Sequence, residues 1–465
     1  MGTMPQPDLE RKSTVERALS VFTEVRRGEG AGVLLLGLNA FLLLASYYLL
    51  KTVREPLILS EHGAEVKAYS SGGQALLLLA IVPAYGAFAS RVNRIRLITW
   101  VTLVFVVNLV LFYAFGAAGV HEGIVFYLWV GIFNVLIIAQ FWSFANDLYS
   151  PSSGKRLFPA IALGGSLGTV VGPQLAANLI HALGPYPLML VSAGLLLLCI
   201  LISHLIHHRA ASDPAQSPEE SAATPLARTG VVKLLANDRY LLLIAILVVL
   251  LNMVNSSGEF LVGKYVVAEA ARVAGSNMLA QQKLMGEFYG HYEVWYNGLS
   301  LVLQMFAVSR IFRYAGVRGA LFILPCIALG SYSFLLVLPL LSFVPWYKVV
   351  ENGTDYSVQN TTQQALFLPT SREAKYKAKA AIDAFFKRAG DVLQAGVVYA
   401  GTGLGLGVRG FAAVNVVLAV GWLCVAAGVA REHRRRTQEV PVTIPVAAHG
   451  TKKTLDVRSA FRQDG

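Results

Sequence analysis

The sequence has 465 residues, of which 55% are hydrophobic and only 14% charged, and its mean hydropathy is +0.56. Soluble domains usually carry roughly 25% charged residues, so this composition argues against a soluble enzyme, a nucleic-acid-binding domain and a secreted disulfide-rich protein. A membrane-spanning helix needs about 20 apolar residues, and the apolar excess therefore predicts an all-α polytopic membrane protein.

Twelve apolar runs are long enough to cross a membrane, six on each side of a polar gap. They lie near 31–51, 70–90, 97–119, 124–148, 159–183, 186–206, 240–264, 291–311, 318–339, 341–366, 378–404 and 408–430. The gap is rich in Pro, Ser and Glu, which is typical of a flexible linker. We therefore expect an N-terminal six-helix half (31–206), a linker (207–239), a C-terminal six-helix half (240–430), and tails at 1–30 and 431–465.

The basic residues predict the orientation of these helices. Of the 39 Lys and Arg residues, 29 fall in segments that the helix count puts on one side of the membrane, and such a bias marks the cytoplasmic side. Both termini and the linker are thus expected in the cytoplasm. Membrane topology then accounts for most of the net charge of +12, and no nucleic-acid partner is expected. Two six-helix halves around a cytoplasmic linker are the layout of major-facilitator transporters.

Two further segments have an expected structural role. The outer segment 265–290 is long, and its stretch 278–285 could form a helix that acts as a lid or, as we prefer, as a simple connector. Gly164, Gly168 and Gly172 follow one another at four-residue spacing, a pattern that predicts close contact with a neighbouring helix.

Polar and charged residues inside predicted spans are the strongest functional signal, because a charge there costs about 2.5–3.5 kcal/mol on insertion scales. The tenth span carries seven polar residues at steps of three and four, which a regular helix would place on one face: Lys348, Glu351, Asn352, Asp355, Gln359, Thr362 and Gln363. In the eleventh span Asp383, Lys387 and Asp391 form i,i+4 pairs able to neutralise each other, and Arg388 points to another face.

Other spans carry shorter polar stripes. The seventh contains Asn252, Asn255, Ser256 and Glu259, the fourth ends at Asp147, and the first ends with Lys51, Arg54 and Glu55. These charges could pair from helix to helix and only hold the bundle together. The seven polar residues of the tenth span exceed what structural pairs need, and they favour a cavity instead.

Four stretches resemble the ATP/ADP translocases of plastids and obligate intracellular bacteria. They are YLLKTVRE at 48–55, FWSFAND at 141–147 with KRLFP at 155–159, LNMV at 251–254, and ALFLP at 365–369 with KYKAKAAID at 375–383. The resemblance implies a distant relative of the major-facilitator transporters, with adenine nucleotides as small-molecule substrate, in a bacterial inner membrane.

Only some of the functional charged residues of that family have a counterpart of the same charge in this sequence. Its first-span lysine falls on Arg54, and its fourth-span glutamate falls on Asp147. Its seventh-span glutamate falls on neutral Asn255, with Glu259 one turn further, and its eleventh-span lysine falls on Asp391, which reverses the sign.

We therefore expect ATP/ADP exchange by alternating access. The predicted substrate-binding residues are Lys51, Arg54, Asp147, Asn255, Glu259, Lys348, Asp355, Lys387 and Arg388. One alternative is a proton-coupled transporter of another organic anion or small solute, with Asp355, Asp383 or Asp391 as proton carrier. A second alternative is a membrane sensor or scaffold without transport. No nucleophile–base pair or metal-ligand spacing occurs in the sequence, so no enzyme activity, metal or cofactor is expected, and the oligomeric state is not predicted.

Overall fold

The computed structural model of the chain describes residues 25–26, 28–89, 91–211, 238–370 and 378–439, and this part is helical, without strands. Most of both predicted tails, most of the predicted linker and residues 371–377 lie outside the described residues. The helices are α1 (Gly30–Ala89), α2 (Arg94–Ala117), α3 (Gly123–Leu148), α4 (Pro151–Leu183), α5 (Pro185–Ala211), α6 (Arg239–Ala274), α7 (Met278–Val302), α8 (Val308–Tyr314), α9 (Gly316–Val337), α10 (Val344–Thr354), α11 (Asn360–Leu366), α12 (Lys379–Ala381), α13 (Lys387–Gly403) and α14 (Val408–Glu439).

Helix α1 is 60 residues long and bends sharply at Gly63, where φ is 79°. That backbone conformation strains residues with a Cβ, so glycine is the natural residue at the bend. The first predicted span, 31–51, ended too early, and the second, 70–90, began too late, because residues 52–62 and 64–69 are helical too. Polar residues such as Lys51 and Arg54 ended the apolar run early although they lie within the helix.

Three helices contain one turn of π-helix, which inserts an extra residue into the turn. Residues Leu303–Ala307 join α7 to α8, Asp355–Gln359 join α10 to α11, and Ile382–Phe386 join α12 to α13. The expectation that the polar residues of span 341–366 share one face of a regular helix is therefore wrong beyond residue 354, since the π turn rotates the following residues.

The buried apolar residues form two large clusters. One contains only residues between 25 and 206, and the other is built mainly from residues 240–429 together with a few side chains of α1 and α3. Helix α1 packs on α3, α4 and α5 on one side and on α6, α7 and α13 on the other, so it lies at the boundary between the two clusters.

The glycine pattern in α4 makes the predicted close helix contact. A Cβ at Gly164 would lie 2.3 Å from the carbonyl oxygen of Gly37, and one at Gly168 would lie 2.4 Å from that of Phe41. Both distances are far below van der Waals contact, so the backbones of α4 and α1 touch only because these positions lack side chains. The prediction is confirmed.

The helix expected within the outer segment 265–290 is present, but the segment is not the simple connector that we preferred. Helix α6 continues to Ala274 and α7 begins at Met278, so only residues 275–277 link them. The polar residues of this stretch lowered its hydropathy, yet several of them contact other helices. Among the described helices, eight are long and apolar enough to cross a membrane.

Candidate functional site

A cavity of about 160 Å³ lies where α1 meets the helices on its two sides. Its volume is below the roughly 300–1,000 Å³ that is usual for small-molecule sites. Helices α1 and α3 line it from one side, and α6, α7, α13 and the α10–α11 segment line it from the other. Its apolar lining residues, such as Ala64, Tyr127 and Tyr289, belong to the cluster built mainly from residues 240–429.

Lys51 of α1 reaches across the cavity to α7. Its Nζ lies 3.3 Å from the Glu293 carboxylate and donates a hydrogen bond of 2.6 Å to the Tyr296 hydroxyl. Glu293 also accepts a hydrogen bond of 3.3 Å from the Thr52 hydroxyl. Only 2% of the Glu293 side chain is exposed, so Lys51 provides the charge that stabilises a carboxylate in this position.

A second group of charges lies on α1 itself. Arg54 donates from Nη2 and Nε to Oε1 of Glu55 at 2.6 and 3.1 Å, and Lys67 Nζ lies 2.5 Å from Oε2 of the same carboxylate. The bend at Gly63 reverses the chain, which brings Lys67 back beside Glu55. The Arg54 guanidinium lies 4.3 Å from the centre of the Tyr127 ring, a cation–π distance.

Lys348 lies behind the cavity wall and is fully buried. Its Nζ donates to Oδ1 of Asn255 at 2.5 Å, and it lies 3.2 Å from Glu351 and 3.8 Å from Glu259. Glu259 faces the cavity and also accepts hydrogen bonds from Asn352 at 2.8 Å and from the Tyr292 hydroxyl at 2.9 Å. This group joins α6, α7 and α10.

The charges that line the cavity sum to zero. Three cations, Lys51, Arg54 and Lys67, stand against three carboxylates, which are Glu55, Glu259 and Glu293. Behind the wall Lys348 and Glu351 add one charge of each sign. An anion entering the cavity must therefore compete with carboxylates for the cations.

Tyrosine rings form much of the remaining wall. The lining contains Tyr127, Tyr289, Tyr292, Tyr296 and Tyr356. Neighbouring rings are close, with centroids 5.2 Å apart for Tyr292 and Tyr296 and 5.6 Å apart for Tyr296 and Tyr356. Such a wall offers both aromatic faces and hydroxyl groups to a ligand that has a planar ring.

The structure brings some of the predicted substrate-binding residues together. Lys51, Arg54, Asn255 and Glu259 line the cavity, and Lys348 lies directly behind it. Asp355 borders a separate void of only about 10 Å³ next to Asn255 and Glu351. Lys51 lies well inside α1, so the expectation that it lies at the end of a span is wrong.

The remaining predicted residues do not line the cavity. Asp147 lies at the end of α3 and pairs with Arg94 at 2.7 Å. Asp391 accepts a hydrogen bond of 3.0 Å from Ser256, and its ion partner is Arg388 at 3.4 Å. Arg388 is thus the ion partner of Asp391, and the expectation that Arg388 points to another face is wrong.

Sequence reasoning missed Lys67, Glu293 and the tyrosines. Lys67 and Tyr289 lie outside the predicted spans, and Glu293 lies near the predicted start of one. A signal was nevertheless present, because Tyr289, Glu293 and Tyr296 recur at helical spacing and thus share one face of α7.

The cavity is closed at the end of the bundle that holds the Gly63 bend. There α1 and α4 meet α6 and α7 through ion pairs of Glu65 with Lys264 at 2.5 Å and of His181 with Glu287 at 2.6 Å. Gln282 also donates to the Ser60 hydroxyl at 3.1 Å. At the opposite end, the ion pairs found within the described ranges stay on one side of the boundary, as Arg94–Asp147 and Arg436–Asp238 do.

Comparison with known proteins tests the family expectation. Residues 122–344, just under half of the chain, match the model of the TLC ATP/ADP transporter family. ADP,ATP carrier protein 1 of Chlamydia pneumoniae is 22% identical over 318 residues, which cover 57% of this chain and 58% of that protein. The resemblance to the ATP/ADP transporter family is confirmed. ADP,ATP carrier protein 5 of Rickettsia conorii is 23% identical over 303 residues, covering 57% of this chain and 58% of that protein.

The matches therefore span less than two thirds of the length of these relatives. Both relatives are named as carriers and not as enzymes, as the sequence led us to expect. Among solved structures, a POT family transporter in complex with 5-aminolevulinic acid superposes with a TM-score of 0.61 at 13% identity, covering 86% of this chain and 96% of that one. The chain thus has the helical fold of a transporter, and it is an integral membrane protein that crosses the bilayer several times.

Proposed function

We propose that this protein exchanges ATP and ADP across a bacterial inner membrane by alternating access. The observation that carries the proposal is the cavity at the boundary of the two clusters, which offers Lys51, Arg54 and Lys67 together with a wall of tyrosines. Lys and Arg side chains are the usual partners of phosphate groups, and aromatic rings stack on nucleic-acid bases. An adenine nucleotide contains both groups.

We propose twelve spans in two halves, 31–206 and 240–430, joined by the linker 207–239. Dividing α1 at Gly63 and treating the helices on either side of each π turn as continuous gives twelve helical segments. Both termini lie in the cytoplasm in this proposal, because basic residues concentrate on that side. The end closed by the Glu65–Lys264 and His181–Glu287 pairs then faces outwards, and the cavity is reached from the cytoplasm.

The predicted residues take roles according to their positions. Lys51 and Arg54 bind phosphate oxygens, and Lys348 holds Asn255 and Glu259 in place to orient the nucleotide. Lys387 and Arg388, which lie closer to the cytoplasmic end of their helix, attract the anion on its way to the cavity. Asp147, paired with Arg94 at 2.7 Å, belongs to the cytoplasmic gate.

Counterflow in proteoliposomes tests the proposal. Vesicles that contain purified protein and unlabelled ADP should accumulate labelled ATP transiently, and vesicles loaded with buffer alone should not. The variant Lys51→Gln should lose most of this uptake, whereas Lys264→Gln, which changes a lysine at the closed end, should retain far more. Equal uptake with ADP-loaded and empty vesicles would contradict exchange.

A neutral sum of charges in the cavity favours a second candidate. ATP brings about four negative charges, and a lining with as many carboxylates as cations suits a less charged solute better. This candidate is a proton-coupled carrier of another organic anion, for which the sequence suggested Asp355, Asp383 or Asp391 as proton carrier. Uptake of a less charged organic anion that responds to an imposed pH gradient and not to ATP would favour it, whereas uptake indifferent to the gradient would remove it.

A further inference from the structure

The carboxylates of the cavity differ in how many cations hold them. Glu55 contacts two, Arg54 at 2.6 Å and Lys67 at 2.5 Å. If a ligand takes one of these cations, the other still neutralises the carboxylate.

Glu259 is also held by several groups. It has Lys348 at 3.8 Å and hydrogen bonds from Asn352 and Tyr292, and its side chain is 30% exposed. Lys348 is enclosed behind the wall, so a ligand in the cavity does not reach it without moving the wall. Glu259 therefore stays ionised when the cavity fills.

Glu293 depends on a single cation. Lys51 is its ion partner at 3.3 Å, and its other contact is the neutral hydroxyl of Thr52 at 3.3 Å. The other charged and titratable groups around this pair are Arg54, which is engaged with Glu55, and three tyrosines, namely Tyr48 on α1, Tyr296 on the same helix as Glu293, and Tyr356 opposite. Nothing else in the described lining replaces Lys51 without breaking another pair.

Binding of a phosphate to Lys51 therefore leaves Glu293 as a buried carboxylate without a cation. Such a group costs several kcal/mol and is neutralised by protonation instead. The proton restores the balance of charge that the phosphate disturbs.

We propose that Glu293 takes up one proton when a nucleotide phosphate displaces it from Lys51, and releases the proton when the nucleotide leaves. The inference rests on the proposed nucleotide function and adds to it the residue that links binding to pH. The phosphate oxygen gains the ion pair with the Lys51 ammonium, the Glu293 carboxylate gains a proton from water, and no covalent bond other than that O–H bond changes.

Isothermal titration of the purified protein with ATP tests the inference. At pH 8 the free phosphate groups are fully ionised, since their last pKa is about 6, and titration in buffers of different ionisation enthalpy counts the protons taken up. The wild-type protein should take up about one proton per ATP bound, and its dissociation constant should rise about tenfold per pH unit above neutrality.

Variants assign the proton to a residue. Glu293→Gln should bind ATP with no proton uptake and no pH dependence of the dissociation constant, and Glu293→Asp should restore both. Glu65→Gln, at the closed end, is the matched control and should take up one proton. Proton uptake that persists in Glu293→Gln, or that disappears in Asp391→Asn instead, would overturn the assignment.

The same titration distinguishes failure of this inference from failure of the proposed function. ATP binding without proton uptake in the wild type would overturn the role of Glu293 and leave nucleotide exchange intact. No ATP binding at all, in protein that remains folded, would overturn both.

Discussion

Replacing Lys348 by Met should destabilise the protein strongly although it removes no apolar contact. Lys348 is fully buried, and its Nζ lies 3.2 Å from Glu351, whose side chain is 5% exposed. Removing one partner of a buried pair typically costs about 3–5 kcal/mol, because the other charge remains without compensation. At about 2 °C per kcal/mol for a large chain, the expected fall of the melting temperature is on the order of 6–10 °C.

The double variant Lys348→Met/Glu351→Gln should recover at least half of this loss, since it leaves no unpaired charge at position 351. Glu259 also loses Lys348 in this variant, but it keeps its hydrogen bonds from Asn352 and Tyr292. The matched control is Lys264→Met, which breaks an ion pair with Glu65 that is shorter, at 2.5 Å, but exposed. Exposed pairs contribute about 1 kcal/mol or less, so this variant should melt close to the wild type.

Thermal unfolding of the detergent-purified variants, followed by intrinsic fluorescence, measures all three changes. A single variant Lys348→Met that melts no lower than the double variant would refute the reasoning. It would mean that Glu351 does not need Lys348 to remain buried.

Three further predictions concern the helix contact, pH and the phosphate site. Gly168→Ala should lower the free energy of unfolding by at least about 2 kcal/mol, because its Cβ would lie 2.4 Å from the Phe41 carbonyl oxygen. Gly194→Ala has open space around it and should not lower the melting temperature. Burial, with a smaller contribution from a neighbouring carboxylate, raises the pKa of Glu122 to about 7. Ionisation of this carboxyl is therefore less favourable in the folded than in the unfolded protein, so the wild type should lose stability relative to Glu122→Gln as the pH rises from 5 to 8; equal melting profiles over this range would contradict the shift. Arg54→Ala should reduce ATP counterflow at least about tenfold more than Arg54→Lys, since a charge-assisted hydrogen bond contributes about 1.5–3 kcal/mol; equal losses would argue against a phosphate contact.

The elements of the fold followed from local patterns in the sequence. Apolar runs located the helices, and the glycines of α4 identified a close contact, because both signals depend on neighbouring residues. The hydropathy pattern misplaced the ends of helices where charged residues are paired inside the bundle. Lys51 and Arg54 ended a predicted span although their carboxylate partners stabilise them within the helix.

The site was only partly predictable, because it is assembled from distant segments. Lys51 and Glu293 are 242 positions apart in the printed sequence, and no local pattern indicates that they pair. Lys387 and Arg388 both lie about one turn before Asp391 on the regular helix α13, and the sequence does not indicate that only Arg388 makes the ion pair. Lys348 was identified from its polar stripe, but its position behind the cavity wall depends on how α6 packs on α10.

Accessibility of the cavity from both sides of the membrane is the most direct test of alternating access. The three cysteines, Cys199, Cys326 and Cys424, are first replaced, and Ser71, which lines the cavity, is changed to Cys. We predict that a membrane-impermeant maleimide labels this residue in both right-side-out and inside-out vesicles, and that ATP slows labelling in each. Labelling from one side only, under conditions in which counterflow proceeds, would contradict the account.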